Sequence, residues 1–561
     1  MTKHLIIILI LLRILATAQN VSNISVDFNT IVGTGKKMTG VNTGPHSIVS
    51  GTTEQCLQNI GTELVRTHDY TGPCDYWGYT NFFNRSDSTF NYSFQSHLPA
   101  GYDWTATDAQ ISEIVNANLQ PFFRLGISDG PGQNSPPATP MPKDSDSVNF
   151  YTFAGIAKRT AMHFTDSVDS GFKYTIPYWE IWNEPNNLGF WAKDSVSAYY
   201  RLYKQCADSL KSFNPQLKVG GPGVAKSAFL AGGIHYTIKQ DYVANFFNFC
   251  KTDSVPLDFY SFHMYDRKNP YSLKILTDTL AYYLDQYGFD STELIVSETN
   301  INTGGYENTS KGCSYLASQL ISVANSRLSK YIWYRGVDLN PLCFSDIGST
   351  PSLTLNGYAY KFFNELNDST PKFLATTGNE FDNANIMDSL NNLMTLSGKN
   401  SANNIVKVLI ANHESVHDTL NVTLQNLPWT SADQITITTE QVISSGYSTS
   451  TSLTTGGSTL SIVFPVTDAS VYFITIKNES TTPVNTQYKK SNHLTIFPNP
   501  SDNSINFSEM LGNIQVYNVY GQLVLFQIES TKSISTKEFT NGIYFIHADN
   551  TLLKFSVDHI N

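Results

Sequence analysis

Between residues 38 and 368 the sequence alternates eight times between a short apolar run and a longer segment of helical period. The strand-like runs are Met38–Thr43, Glu63–His68, Gln120–Leu125, Thr175–Trp182, Lys218–Gly221, Asp258–Met264, Glu293–Ser297 and Lys330–Val337. Most are apolar throughout, as parallel strands buried on both faces are. Helical patterns follow them at Thr53–Ile60, Asp103–Asn118, Phe150–Ser167, Ser195–Phe213, Gln240–Lys251, Ser272–Tyr287, Cys313–Ser326 and Tyr358–Asn367. Alternation repeated this often predicts a closed (β/α)₈ barrel in preference to a doubly wound sheet. The long Tyr70–Gly101 stretch, rich in Tyr, then falls after the second strand, on the face where barrel loops form sites.

Past Asp368 the texture changes. Residues 371–477 carry short alternating segments such as Ile405–Ala411, Gln434–Thr439 and Leu460–Phe464, spaced by Ser, Thr, Asn and Gly, which predicts a β-sandwich. Residues 478–492 are polar and read as a linker, and 493–561 as a small all-β domain. At the other end, the apolar run Leu5–Leu12 and the small residues Ala16-Thr17-Ala18 have the layout of a secretory signal peptide over 1–18. The barrel is therefore assigned to 19–370. No segment approaches the length of a membrane span.

Composition excludes some partners. The formal net charge is −11 with no long basic run, so the electrostatic footprint of nucleic-acid binding is missing. Aromatic residues make up 13%, which suits both large cores and stacking on sugar rings. The six cysteines, Cys56, Cys74, Cys206, Cys250, Cys313 and Cys343, are widely spread without a zinc-site spacing, so no metal is expected. Cys56 with Cys74 and Cys313 with Cys343 are the nearest neighbours in sequence, and buried free thiols are an equal alternative. Gly220–Ser227 nearly spells a phosphate-binding loop, but Ala225 stands where the cradle needs Gly; it reads as the fifth strand and its loop.

The chemistry concentrates at two strand ends. Tyr178–Trp182 runs into Asn183-Glu184-Pro185, and Leu294–Val296 into Ser297-Glu298-Thr299-Asn300. Carboxylates at the C-terminal ends of the fourth and seventh barrel strands can meet across one pocket. Glycoside hydrolysis needs such a pair, one protonated to release the leaving sugar and one ionised on the opposite side of the anomeric carbon. Glu184 is assigned as acid/base, raised in pKa by partial burial, and Glu298 as nucleophile. A separation of roughly 5–5.5 Å would make the reaction retaining, and one beyond roughly 6.5 Å inverting. Neither role requires a cofactor. Salt-bridged structural glutamates are the plainer alternative for both.

Other residues follow from position. Arg66 and His68 lie on the second strand, and Arg66 is expected to hold Glu298 ionised. Asn183 is placed to bond a hydroxyl beside the reaction centre, His263 a sugar hydroxyl, and Tyr265 the Glu298 carboxylate. Trp333, on the eighth strand, is expected as the flat floor of the sugar subsite. Ordinary barrel packing is the competing reading for each of these.

These motifs resemble a known family. Trp182-Asn183-Glu184-Pro185-Asn186, Val65-Arg66-Thr67-His68-Asp69, Gly220-Gly221-Pro222, Asp258–Tyr265 and Leu353–Gly357 are similar to those of the retaining (β/α)₈ glycosidase clan, and within it to glycoside hydrolase family 39. The resemblance covers about residues 38–477. It implies a carbohydrate substrate, a β-xyloside among the possibilities, with uronic-acid glycans also represented in the family. Ser297–Asn300 and Trp333–Asp338 depart from the family pattern, which bears on the sugar more than on the chemistry. At the C-terminus, Phe497-Pro498-Asn499-Pro500, Ile514–Leu523 and Asn541–Ile546 resemble the sorting domain of type IX secretion cargo. That resemblance implies export to the cell surface or beyond, with the secretion machinery as partner. A non-catalytic carbohydrate-binding surface protein on an inactivated barrel is the rival functional class.

Overall fold

The computed structural model describes residues 20–559 apart from 48–50, 69–72, 85–88, 129–146, 192–195, 233–234, 267, 302–303, 338–340, 345–351, 382–390, 468, 481–494, 513, 520–522, 528–529 and 549–550. Residues 1–18, read from the sequence as a signal peptide, and most of the expected linker lie outside the described residues.

Eight parallel strands close into a barrel: β1 (Thr39–Asn42), β2 (Leu64–Arg66), β3 (Gln120–Leu125), β4 (Tyr178–Ile181), β5 (Lys218–Val224), β6 (Phe259–Asp266), β7 (Glu293–Ile301) and β8 (Leu328–Trp333). The helices that return the chain are α1 (Glu54–Asn59), α2 (Thr105–Asn116), α3 (Ser147–Asp166), α4 (Val196–Phe213), α5 (Ala244–Thr252), α6 (Ser272–Tyr287), α7 (Ser310–Val323) and α8 (Leu355–Ser369). Side chains two apart on a strand share a face. Leu64, Phe122, Tyr178, Phe259, Ile295 and Ile332 accordingly form one apolar cluster inside the barrel. Two residues further along their strands, Arg66, Arg124 and Glu180 share that inward face and are fully buried. An apolar plug therefore carries a charged layer on its C-terminal side, and this layering sets where chemistry is possible.

The strand register breaks where function is expected. β6 and β7 slip between Phe262 and His263, which brings His263 opposite Glu298, and β7 and β8 slip between Val296 and Thr299. Such bulges re-aim the side chain they carry. β8 ends at Trp333, four residues short of the sequence expectation, and the chain leaves the sheet at Tyr334. The near-phosphate-loop sequence is β5 followed by a single 3₁₀ turn, Lys226–Ala228.

A ten-stranded mixed sheet makes up the second layer. It folds over on itself: the rings of Phe464 and Tyr472, on strands far apart in the sheet order, lie 4.8 Å apart. Its strand Ile405–His413 is buried on both sides. Val406, Val408 and Ile410 join the sandwich core, while Leu409 and Ala411 join the barrel cluster. On the barrel side Phe362 of α8 stacks on Phe473 at 4.9 Å, and Lys407 pairs with Glu365 at 2.7 Å. One boundary needs correction. Residues Val21–Thr34, assigned by sequence to the barrel segment, form a strand of this sheet. They pair parallel with Thr419–Gln425 and antiparallel with Lys372–Thr376. A partner almost 400 residues away leaves no trace in the local pattern.

The disulfide joins Cys56 of α1 to Cys343, beyond β8, across 287 residues. Neither sequence-adjacent pairing forms; Cys74, Cys206, Cys250 and Cys313 are buried thiols. Residues from Ser480 onward are a separate compact unit. It contains a three-stranded and a four-stranded antiparallel sheet with their own core, including Ile505, Phe507, Val516, Ile546 and Phe555.

Candidate active site

Arg66 organises the site. Its Nε and Nη2 hold Glu180 at 2.7 and 2.6 Å, its Nη1 donates to Asn42 Oδ1 at 3.0 Å and to Glu298 Oε1 at 2.8 Å, and its Nη2 donates to Asn183 Oδ1 at 2.8 Å. A fully buried guanidinium with this many acceptors stays charged, because Glu180 and Glu298 offset its burial. Four strands are thereby tied to one side chain.

Glu298 is enclosed by donors. Besides Arg66, Oε1 is 3.1 Å from His68 Nε2, and Oε2 accepts from the Tyr265 hydroxyl at 2.6 Å. Burial pushes the Glu298 carboxyl above the usual carboxylate range; His263, Arg66 and the Tyr265 hydroxyl pull the other way, and Glu184 adds to the rise. Burial, Arg66 and Arg124 hold His68 well below the ordinary histidine range. It is a neutral imidazole whose Nε2–H donates to Glu298.

Glu184 is the more open of the pair, with a side chain 12% exposed against 5% for Glu298. The turn that presents it runs through positive φ at Trp182 (75°) and at Glu184 itself (44°), a conformation costly for residues with a Cβ and frequent at functional sites. Several contacts hold it. The Glu184 amide donates to Gly223 O at 3.0 Å, and Asn186 grips Ala225 through both its amide atoms, at 2.8 and 3.1 Å. Asn187 Nδ2 donates to Glu184 Oε2 at 2.7 Å, its orientation fixed by the Gly189 amide donating to Oδ1 at 3.0 Å. His263 Nδ1 lies 2.8 Å from Glu184 Oε1 and 3.4 Å from Glu298 Oε2. The expectation of a raised Glu184 is not met. Burial opposes its ionisation, but His263, Asn187 and Arg66 together outweigh it and hold the carboxyl below its ordinary value.

One oxygen of Glu184, one of Glu298 and a nitrogen of His263 lie within 4.8 Å of one another. Among the described residues this trio is the convergent His/Cys/Asp/Glu group of metal-ligand type. Arg66, 2.8 Å from Glu298, sets a fixed positive charge against it, which disfavours a divalent ion.

Glu184, Glu298, Arg66, His68, Asn183, His263 and Tyr265 thus converge on one constellation. Trp333 does not present a face to it: the ring is fully buried in the core. The ring at that strand end is the next residue, Tyr334, partly exposed and packed 5.9 Å from Tyr265 and 6.0 Å from His68. Sequence reasoning also missed Glu180 and Asn187. A signal for Glu180 was available, since a charged residue inside the run Tyr178-Trp179-Glu180-Ile181-Trp182 demands a buried counter-charge. The Tyr70–Gly101 stretch is anchored through Asp75, fully buried, which pairs with Arg124 of β3 and accepts from the Ser128 amide at 2.7 Å.

A closed parallel barrel with one glutamate in the turn after β4 facing another on β7 is the architecture of a glycoside hydrolase. Residues 12–298 match the model of glycosyl hydrolases family 39, and the chain belongs to that family. Residues 495–557 match the secretion system C-terminal sorting domain. The chain is 26% identical over 207 residues to a beta-xylosidase of Geobacillus stearothermophilus, covering 34% of this chain and 35% of that protein. It is 33% identical over 226 residues to a beta-xylosidase of Caldicellulosiruptor saccharolyticus, covering 38% of each. The matches thus span little more than a third of these curated relatives. A glucosidase structure from Croceicoccus marinus superposes with a TM-score of 0.65 at 19% identity, over 82% of this chain and 100% of that one, which shows a shared fold. Among the described residues no helix is long and apolar enough to cross a membrane.

Proposed function

We propose that the protein is an exported, retaining glycoside hydrolase acting on β-xylosides or closely related glycosides. Glu298 is the nucleophile and Glu184 the acid/base. The observation that carries this reading is that one oxygen of Glu184 lies within 4.8 Å of one oxygen of Glu298, an approach that suits the retaining arrangement better than the wider inverting one. Arg66, His68 and Tyr265 present three donors to Glu298, the environment an anionic nucleophile requires. Glycosylation forms a bond from Glu298 to the anomeric carbon as the leaving oxygen takes a proton from Glu184. Water then attacks the anomeric carbon as the bond to Glu298 breaks and frees its carboxylate, and a proton of that water passes to Glu184. Asn183, fixed through its Oδ1 by Arg66, has its amide N–H groups without a partner among the described residues, and these are available to a sugar hydroxyl. Tyr334 is the ring that flanks the sugar. The relatives named beta-xylosidase support the choice of sugar. The sorting domain supports export by the type IX machinery, and the reading of residues 1–18 as a signal peptide agrees with it.

Azide rescue on aryl β-xylosides tests both roles. Glu184→Ala with azide is expected to yield the β-glycosyl azide, and Glu298→Ala the α-anomer. Wild-type protein that binds glycans yet turns over none of a broad panel would refute the reading and leave a binding protein in its place.

A further inference from the structure

Two buried polar atoms beside the site have no hydrogen-bond partner among the described residues: Glu180 Oε1 and His263 Nε2. Each lies 3.3 Å from the point where a Cβ on Gly223 would stand, so they flank one small space that this glycine leaves open. Gly223 also adopts φ +61°, where a side chain is disfavoured. The other Glu180 oxygen is committed to Arg66 at 2.7 Å. Around the His263 ring stand Glu184 and Glu298 at Nδ1 and Glu180 toward Nε2, with Arg66 behind the carboxylates and the neutral His68 within electrostatic reach.

A carboxylate accepts hydrogen bonds and donates none. A bare Nε2 would turn a lone pair toward Glu180, whereas an Nε2–H turns a dipole of the right sign toward it, directly across the space or through one water. We propose that Glu180 is a positioning residue that keeps a hydrogen on His263 Nε2, so that the catalytic proton is stored on the 2.8 Å contact between His263 Nδ1 and Glu184 Oε1. This rests on the retaining reading above. Two forms share the stored proton: imidazolium beside Glu184 carboxylate, and neutral imidazole accepting from Glu184 carboxyl. Nε2 is protonated in both. Departure of the leaving group takes the stored proton to the glycosidic oxygen and leaves Glu184 as a carboxylate facing the bare Nδ1. That repulsion makes Glu184 a stronger base just as the second step needs one, and the attacking water restores the proton. No other atom changes its proton count.

Glu180→Gln tests the assignment. Arg66 requires the amide oxygen, so the amide NH₂ turns toward Nε2 and pins the hydrogen on Nδ1. Phenyl glycosides, which need acid assistance, are expected to lose about tenfold or more in rate relative to dinitrophenyl glycosides, which do not. The alkaline limb of kcat/KM is expected to move down by about one unit. An equal loss on both substrates with an unmoved limb would mean that Glu180 merely supports Arg66, and would overturn the proposal. Should the variant not fold, ¹⁵N-histidine spectra of the wild-type protein decide. Nε2 of His263 must show as N–H at neutral pH, and a bare Nε2 would overturn the proposal. Azide rescue of Glu184→Ala proceeds in either case, so failure here is separable from failure of the hydrolase reading.

Discussion

Replacing Tyr265 by Phe removes one oxygen from the site and leaves the ring packed edge-on against Tyr334. The lost oxygen donates to Glu298 Oε2 at 2.6 Å, a hydrogen bond to a charged acceptor. Burial and the neighbouring Glu298 carboxylate hold the Tyr265 hydroxyl well above the ordinary phenol range, so it remains a donor at every working pH. Bonds of this kind contribute about 1.5–3 kcal/mol. Burial already pushes Glu298 up, and Tyr265 is one of the groups opposing it. Its loss therefore raises the Glu298 pKa further. Converted at 1.36 kcal/mol per unit, the shift is about one to two units. Activity requires Glu298 ionised, so the acid limb of kcat/KM moves to higher pH by that amount, and part of the lost rate returns above the new limb. The measurement is a pH profile of kcat/KM on an aryl β-xyloside, wild type against Y265F. A loss of equal size at every pH, with the limb unmoved, would show that Tyr265 does not set the ionisation of Glu298.

Asn187→Ala takes a donor from ionised Glu184, so the Glu184 pKa rises and the alkaline limb of the same profile moves up by about one unit. Arg66→Met leaves Glu180 buried and unpaired, and chemical denaturation is expected to show a loss of about 3–5 kcal/mol, much of it recovered in Arg66→Met/Glu180→Leu, while both variants are inactive. Buried His413, held at 2.9 Å by Ser314, has its pKa pushed down to about 3, chiefly by burial and further by Lys311. The unfolded chain takes up that proton near pH 6.5 and the native one only near 3, so stability is complete above 6.5 and falls as pH drops between the two. His413→Asn is expected to remove most of that dependence, about 5 kcal/mol across the interval at 1.36 kcal/mol per pH unit, in denaturant titrations.

The barrel strands were legible because burial on both faces writes a continuous apolar run, and α6 falls on the residues its period marks, Ser272–Tyr287. Glu184 and Glu298 were legible because polar motifs interrupt such runs. What local pattern does not carry is pairing across the chain. Cys56 and Cys343, Val21–Thr34 and its sheet, and Arg66 with Glu180 each depend on closure of the fold. The strand end at Trp333 was misjudged for a related reason. Tyr334 continues the aromatic texture of β8 but belongs to the loop, and only the register against Thr299 and Val41 shows where pairing stops. The direction of the Glu184 shift was also out of reach, because it is decided by His263 on β6 and Asn187 in the β4 loop.

The strand Val21–Thr34 is synthesised before any barrel strand, yet one of its neighbours, Thr419–Gln425, arrives only after the entire barrel has been made. The ring is thus an insertion within the sandwich, and this strand must wait, edge exposed, for a partner made long after it. A fragment cut at the end of α8 would keep its eight staves and lose the clasp that fastens its own beginning.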